Sequence, residues 1–254
     1  MDTIIEVKNL HREYVIYKGA LRKKKEVVEA VRGIDFSVNR GEIFGLLGQN
    51  GAGKTTTIKM LTTLLAPTSG TCKVFGYDTF GQEKQIRKRI NFIFGGEMGV
   101  YRRLSGRDNL RYFANLYLMD TAERENRINK ILELVELTDA ADRLAETYSK
   151  GMIQRLQIAR GLINNPEIIF MDEPTVGLDP LGAHMLRDII RKLRDEGKTV
   201  LLTTHYLPEV EELCDRIVIL NHGEIVARGT PDEIKGDAAT LEDAYIALIK
   251  GDAS

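Results

Sequence analysis

The sequence predicts an α/β fold, in which helices cover a sheet, and two observations predict it. Short apolar runs, bounded by turn or charged residues, occupy residues 43–47, 168–171 and 200–203 and indicate buried strands. The longer stretches between them repeat apolar residues at the spacing of a helix. This alternation is typical of an α/β architecture. The chain has 254 residues, 43% hydrophobic and 29% charged, which is enough for one large buried core.

Two antiparallel strands are expected at the N-terminus. Residues 4–10 are the first predicted strand, and residues 18–26 form a loop that leads to the second. The loop contains the basic run 22–25, for which two interpretations stay open: a solvated charged turn, or a contact with lipid headgroups or a partner. Near the other end of the sequence, strands at 217–220 and 224–227 flank a turn, which predicts a hairpin.

The helices are predicted from apolar spacing and from capping residues. One runs over residues 120–139, with Asp120 and Glu123 placed as a capping box. Another begins at Asp179 and Pro180 and ends at Gly197. Residues 97–160 contain no predicted strand. We therefore expect a helical subdomain at 97–160, inserted into an α/β core formed by residues 1–96 and 161–254.

Charge and composition argue against several classes of protein. The formal net charge of -1 gives no global field for nucleic acid, so no nucleic-acid partner is expected. Cys72 and Cys214 lack the spacing of a metal or redox site and are expected to be reduced packing residues. No apolar run approaches the ~20 residues that span a bilayer, and the N-terminus lacks a secretory signal pattern. A cytoplasmic protein is therefore expected, with any link to a membrane made through a partner.

A phosphate-binding loop is the most specific motif of the sequence. It follows the predicted strand 43–47 and opens a helical run at Thr56. Glycines let backbone N–H groups converge on phosphate oxygens, and the helix N-terminus adds partial positive charge. Lys54 can reach the β- and γ-phosphates, and the Thr55 hydroxyl can ligate Mg²⁺. The residues of the loop are Gly48, Gln49, Asn50, Gly51, Ala52, Gly53, Lys54 and Thr55.

The strand 168–171 delivers two adjacent carboxylates, Asp172 and Glu173. Ligands of open α/β sheets bind at the carboxyl ends of the strands. Asp172 is suited to hold the Mg²⁺ shell, and Glu173 to orient and deprotonate the attacking water. Because phosphoryl transfer needs mainly positioning and charge neutralisation, the loop and this pair together predict nucleotide hydrolysis.

In this order, the motifs resemble those of the nucleotide-binding subunits of ATP-binding cassette (ABC) transporters, over nearly the whole chain. Residues 174–180 look like the family's D-loop, with Asp179 at its key position, and His205 matches the switch histidine. The resemblance implies a P-loop nucleoside triphosphatase core with an N-terminal antiparallel β-subdomain. It also implies ATP and Mg²⁺ as cofactors, with Thr55 and Asp172 as metal ligands and Glu173 and His205 as catalytic residues.

The segment before the acidic pair resembles the signature motif of that family. Ser149, Lys150, Gly151 and Met152 stand at its positions, although Lys150 and Met152 depart from the consensus. In the family this segment binds the γ-phosphate of the ATP held by the opposite subunit. The Ser149 hydroxyl and the Gly151 N–H suit that task, because a helix start is a natural anion site.

Two positions depart from the pattern or stay open. The family places a glutamine after residues 90–94, whereas this chain has Gly95, Gly96 and Glu97. Neither glycine can replace that side chain; Glu97 or a water stays an open alternative. The family also stacks an aromatic residue on adenine. Tyr14, which follows the strand 4–10, is the expected residue, with Tyr17 as its competitor.

The resemblance implies an ATPase subunit at the cytoplasmic face of the membrane. It would form a homodimer, or a heterodimer with a related ATPase, that sandwiches two ATP molecules. Its motion would pass through residues 97–160 into a separate membrane permease. Segments such as 41–48 and 101–110 look like those of bacterial and archaeal exporters for drugs, polysaccharides or ions. Two alternatives stay open: a soluble ATPase acting on ribosomes or DNA, or a regulatory subunit with little hydrolysis.

Overall fold

The computed structural model describes residues 2–18, 24–94 and 99–251. Its strands are β1 (Thr3–Lys18), β2 (Lys24–Asn39), β3 (Ile43–Leu47), β4 (Ser69–Val74), β5 (Tyr77–Asp78), β6 (Ile90–Phe94), β7 (Ile168–Asp172), β8 (Thr199–Thr204), β9 (Arg216–Asn221) and β10 (Glu224–Gly229). Its helices are α1 (Lys54–Leu61), α2 (Glu83–Arg87), α3 (Gly106–Leu116), α4 (Thr121–Leu134), α5 (Lys150–Gly161), α6 (Pro180–Asp195), α7 (Leu207–Leu213), α8 (Pro231–Lys235) and α9 (Leu241–Gly251). Thr138–Ala140 and Ala145–Thr147 are short 3₁₀ turns.

The chain divides into two compact units. The first contains Met1–Arg87 and Leu201–Ser254, and the second contains Lys88–Val200, so the division falls within β8. The second unit contains the predicted helical insertion at 97–160, and it also contains β6, β7 and α6. The predicted subdomain boundaries therefore stay a prediction.

The first unit contains the predicted antiparallel subdomain. Its strands lie in the order β2-β1-β4-β5. The β-branched and aliphatic residues that β1 buries, such as Ile5 and Val7, pair with Val38 and Phe36 of β2. The side chains of alternating residues point to opposite faces of a strand, so one face of this sheet enters the core.

The predicted extent of the N-terminal strands is wrong. Strand β1 continues to Lys18 and β2 already begins at Lys24, so residues 18 and 24–26 of the predicted loop belong to strands. Tyr14, expected to follow the first strand, lies within β1 and pairs with Val28. The physical reason is the β-branched residues on both sides of the basic run, which favour an extended pairing.

A second set of strands in the first unit carries the phosphate loop. Strand β9 pairs in parallel with β3, Phe44 opposite Arg216, and antiparallel with β10, Asn221 opposite Glu224. The C-terminal hairpin is therefore confirmed. All five residues of β3 are buried. The Phe44 ring stacks on Phe36 of β2, with 5.5 Å between ring centroids, which ties β3 to the antiparallel subdomain.

The second unit combines two parallel strands with helices. Ile90 of β6 pairs with Ile168 of β7, and this register continues to Phe94 and Asp172. At the start of both strands, the Arg89 guanidinium donates to both carboxylate oxygens of Glu167, at 2.6 and 3.0 Å. Such a bidentate pair fixes the register of the two strands.

The predicted helix 120–139 is shorter in the structure. Asp120 is the N-cap of α4 as expected, but its carboxylate accepts from the Ala122 N–H at 2.9 Å and not from the Glu123 N–H, so the predicted capping box does not form. The helix ends at Leu134, and Glu136 takes a left-handed backbone with φ of 54°. The apolar periodicity continues past that break because Leu137 still packs into the core.

Both cysteines are buried and free, as the sequence predicts. Burial raises the pKa of the Cys72 thiol to about 12 and also raises that of Cys214, so both stay protonated. Within residues 2–18, 24–94 and 99–251, no helix combines the length and apolarity needed to cross a membrane.

Candidate active site

The phosphate loop begins where the buried strand β3 ends, in the first unit. Its own turn is closed by a hydrogen bond from the Ala52 N–H to the Gln49 carbonyl at 3.1 Å. The Ala52 carbonyl accepts in turn from the Gly223 N–H, also at 3.1 Å, so the loop is anchored to the β9–β10 hairpin. The loop is therefore held in one shape directly before the N-terminus of α1.

Lys54 is the first residue of α1 and is only 5% exposed. Its ammonium donates to the Gly48 carbonyl at 2.6 Å and to the Gln49 carbonyl at 3.3 Å. A buried cation is costly unless anionic or dipolar groups surround it. The ammonium and the first N–H groups of α1 therefore form a positive centre suited to a phosphate.

Two glycines of the loop are required by close backbone approaches. A Cβ on Gly48 would lie 2.4 Å from the Leu220 carbonyl oxygen, and one on Gly53 would lie 2.6 Å from that of Ala30. Gly53 also takes a φ of 107°, which L side chains rarely adopt. Glycine at these positions thus lets the loop pass between β2 and β9.

We expect Gly48→Ala to lower the free energy of unfolding by about 1–3 kcal/mol, because the added methyl group overlaps a backbone oxygen that cannot turn away. Urea unfolding without nucleotide measures this. Gly251→Ala is the matched control, because no atom lies within 4 Å of its added Cβ. Equal stability of the two variants would contradict the packing argument.

The other residues predicted around the loop differ in exposure. Thr55 is exposed and Thr56 is half-buried, whereas Thr57 is buried and donates its hydroxyl to the Gly53 carbonyl at 3.0 Å. Gln49, Asn50 and Gly51 are exposed.

His205 directly follows β8 and is exposed, while the preceding Thr204 hydroxyl accepts from the Tyr206 N–H at 3.0 Å. The loop, His205 and Tyr14 all belong to the first unit.

Tyr14 is half-buried on β1. The guanidinium carbon of Arg12 lies 4.8 Å from the centroid of its ring. Arg12 is held there by a hydrogen bond from its Nη1 to the Ala66 carbonyl at 2.9 Å. One face of the ring is therefore occupied by a fixed cation.

In the second unit, the acidic pair stands at the end of β7. Asp172 is its last residue and is half-buried, after four fully buried residues. Glu173 follows with a φ of 51°, a left-handed backbone that is strained for a residue with a side chain. Such strain concentrates at functional sites, where the fold holds a side chain in one direction.

Two predicted motif residues serve as helix N-caps in the second unit. The Asp179 carboxylate accepts from the Gly182 N–H at 2.7 Å and starts α6, as the sequence predicts. The Ser149 hydroxyl accepts from the Met152 N–H at 3.2 Å and starts α5. This bond uses Ser149 as an acceptor, so its O–H can still donate to an anion.

The residue before the Ser149 cap is a buried tyrosine, which helps to fix the position of the cap. The Tyr148 hydroxyl donates to the Ala140 carbonyl at 2.6 Å, and burial raises the pKa of this tyrosine. Lys150 is exposed, and Gly151 has open space around its Cα, with the Ser149 hydroxyl 3.9 Å from an added Cβ. The first turn of α5 is therefore accessible to a ligand.

The structure reveals an aromatic surface in the second unit that sequence reasoning missed. Tyr101, Tyr112 and Phe113 form a cluster with ring centroids 4.7 to 6.0 Å apart, and Tyr101 and Tyr112 are 47% and 40% exposed. The Tyr101 hydroxyl bonds that of Tyr112 at 3.3 Å, which raises the pKa of Tyr101. Arg160 lies over Phe113 and donates to the Gly99 carbonyl. In the sequence, the only sign of this aromatic surface is that tyrosines occur in a stretch rich in charged residues.

Gly95, Gly96 and Glu97, which stand where the family places its glutamine, lie outside the described residues. Which group takes the place of that glutamine therefore stays a prediction. The choice between Tyr14 and Tyr17 also stays a prediction, and both are residues of β1.

A buried strand that ends in an anchored glycine-rich loop, with a buried lysine opening the next helix, defines a P-loop nucleoside triphosphatase. More specifically, this chain belongs to the ABC transporter family, whose model matches residues 31–176. It is an ATP-binding and ATP-hydrolysing subunit of that family.

Individual relatives agree with this assignment. The chain is 39% identical over 227 residues to the ABC transporter ATP-binding protein NatA of Bacillus subtilis, covering 89% of this chain and 92% of NatA. It is 45% identical over 215 residues to a fluoroquinolones export ATP-binding protein of Mycobacterium tuberculosis, covering 84% of this chain and 69% of that protein. Among solved structures, it resembles the dimeric post-hydrolysis state of the ATP-binding cassette MJ0796 bound to ADP and Pi, with a TM-score of 0.76, 27% identity, and coverage of 89% of this chain and 98% of that one.

Proposed function

We propose that this subunit powers export through a separate membrane permease, at the cytoplasmic face of the membrane. The observation that carries the ATPase part is the phosphate loop with its buried Lys54. Export is supported by the similarity to the fluoroquinolones export protein. The transported compound is chosen by the permease and is not specified by these residues.

The bound nucleotide would be held mainly by the loop and α1. Lys54 would leave its carbonyl partners for the β- and γ-phosphates, and the first N–H groups of α1 would donate to phosphate oxygens. Tyr14 would stack on adenine through the ring face opposite Arg12. These interactions bind and orient ATP without chemistry of their own.

The oxygen donors present suit an Mg²⁺ ion that is shared with substrate phosphates better than a metal held by protein side chains alone. Among the described residues, no group of three or more His, Cys, Asp or Glu side chains is placed to hold a metal. Mg²⁺ keeps waters and usually takes one or two carboxylates together with substrate phosphates. We assign Thr55 and Asp172 as its protein ligands, Asp172 through water. The ion would neutralise charge on the transferred phosphoryl group.

Hydrolysis would use Glu173 and His205. Glu173 would accept a proton from the attacking water, whose oxygen bonds to the γ-phosphorus as the bond to the β-phosphate oxygen breaks and ADP leaves. His205 would donate to the γ-phosphate and hold the water in line. The strained backbone of Glu173 supports its assignment as the base.

A second subunit would complete each site. The signature residues Ser149, Lys150, Gly151 and Met152 would bind the γ-phosphate of ATP held by the opposite copy, through the Ser149 hydroxyl and the first turn of α5. Asp179 would contribute its D-loop at the same interface. The dimer of the similar cassette MJ0796 supports this arrangement. A homodimer and a heterodimer with a related ATPase both satisfy it, and in the homodimer the two-fold interface makes the two sites equivalent.

The aromatic surface of the second unit is our candidate for the permease contact. Exposed tyrosines at a helical surface are typical anchors of protein interfaces, because they bury much area at little entropic cost. Tyr101 comes shortly after the undescribed residues 95–98, and Tyr112 contacts its ring. A contact there would link the permease to the segment in which the family places its coupling glutamine.

We expect Tyr112→Asp to weaken binding of the permease at least about thirtyfold, as for a central interface residue. A membrane-spanning protein encoded beside this chain would be the permease to test, and copurification in detergent measures the binding. Phe80→Asp is the matched control, because Phe80 is exposed in the first unit. Binding that survives Tyr112→Asp would exclude this surface. Copurification with ribosomes or DNA instead would favour the non-transport alternative.

A further inference from the structure

The hairpin of β1 and β2 extends well beyond the sheet to which it belongs. Strand β4 pairs with β1 only as far as Ser69 opposite His11. The two strands continue as a ribbon, from Tyr14 opposite Val28 to Lys18 opposite Lys24. We call residues 14–18 and 24–28 the arm. In the part of the chain that the structure describes, no third strand pairs with it.

The arm exposes apolar residues on both faces. Val15 and Val27 stand opposite each other and are 49% and 48% exposed. Ile16 and Val28 are also exposed, on the face that carries Tyr14. An isolated two-stranded ribbon is at best marginally stable in water. The nucleotide would use only the Tyr14 face, so the Val15–Val27 pair has no assigned role.

The far end of the arm is basic. Lys18 pairs with Lys24, and Lys25 pairs with Tyr17. The sequence therefore puts lysine at three of the last strand positions of the arm, a basic composition that suits an anionic surface.

The acidic residues of the hairpin lie closer to its base than this basic end does. Glu26 is the only one within the arm, opposite Ile16. Glu13 pairs with Glu29 at the base, where Glu29 Oε2 lies 3.6 Å from Arg32 Nε. Charge therefore changes along the ribbon from balanced at the base, where Arg12 and Arg32 lie near Glu13 and Glu29, to basic at the end.

We propose that the arm binds the surface of an anionic lipid bilayer directly, without the permease. Its lysines would lie among the headgroups, and Val15 and Val27 would enter the interfacial region. Stable membrane anchoring generally takes two signals, and the arm offers one that is apolar and one that is basic. This contact goes beyond the proposed function, because it would hold the subunit at the membrane through lipid.

Sedimentation of the purified chain with vesicles tests the proposal. We expect binding to vesicles of equal parts phosphatidylglycerol and phosphatidylcholine, weakened by high salt, and none to phosphatidylcholine alone. The triple variant Lys18→Gln, Lys24→Gln and Lys25→Gln should bind on the order of a hundredfold more weakly, about fivefold for each lysine. The variant Lys84→Gln, Lys130→Gln and Lys192→Gln removes the same charge elsewhere and should bind as the wild type does.

A second variant tests the apolar contribution. Val15→Thr and Val27→Thr together keep the β-branched shape that favours the strand and should weaken vesicle binding several-fold at unchanged charge. ATP binding by each variant checks its fold and tests the proposed function separately. Equal vesicle binding by the arm variants and the control, or no binding by the wild type, would overturn the proposal. A changed mass in solution with unchanged vesicle binding would instead assign the arm to a second copy.

Discussion

Glu173→Gln is expected to lower ATP turnover by on the order of a thousandfold, the typical contribution of a general base. The amide has the shape of the carboxylate but cannot take the proton of the attacking water. The substitution keeps a residue of equal size on the same left-handed backbone, with φ of 51°. We therefore expect the fold and ATP binding to survive. The ATP-bound dimer should accumulate, because its ATP can no longer be hydrolysed.

Phosphate release under saturating ATP measures the turnover, and light scattering with and without ATP measures the dimer. Glu133→Gln is the matched control, since Glu133 is exposed on α4 of the same unit. Hydrolysis by Glu173→Gln at the wild-type rate would remove Glu173 as the base. A loss of ATP binding would show that the residue acts on binding instead.

The parts of the site that the sequence predicts are those encoded locally. The phosphate loop needs a strand, a fixed glycine pattern and a helix start, all within about fifteen consecutive residues. The N-cap of α6 is equally local, because Asp179 bonds a backbone N–H only three residues away. Local hydrogen bonds and steric limits decide both features, so a single sequence suffices to find them.

The features that the sequence missed depend on contacts between distant residues. The sequence predicts the first strand over residues 4–10, yet pairing of β1 with β2 continues to Lys18. Cross-strand pairs such as Val15 with Val27 stabilise that extension and are invisible in either segment alone. The aromatic surface is similar, since a turn and the helix α3 bring Tyr101 and Tyr112 together. Neither residue has a periodic pattern that would predict the contact.

Dimers that combine two different variants give the clearest test of whether each ATP site is shared between two subunits. Lys54→Ala should abolish phosphate binding by the loop. Gly151→Asp should place a negative charge where the γ-phosphate of the opposite subunit would bind. The Asp side chain has room, since the nearest atom to its Cβ is 3.9 Å away, and an acidic residue suits the first turn of α5. Each variant alone is expected to be inactive.

Mixing the two variants should restore activity if the signature acts in trans. One site of a mixed dimer then carries both defects, and the other combines an intact loop with an intact signature. Random mixing at equal concentration should recover about a quarter of the wild-type rate, because half of the dimers are mixed and each has one of two sites intact.

The control mixture pairs Lys54→Ala with Glu173→Gln. Because we assign Glu173 to the same subunit as the loop that it serves, each site of that mixed dimer keeps one defect and no activity should return. Recovery in this control would assign Glu173 to the opposite subunit. No recovery in the mixture with Gly151→Asp would instead mean that Gly151 acts within its own chain. The two mixtures therefore separate the residues that act within one subunit from those that act across the interface.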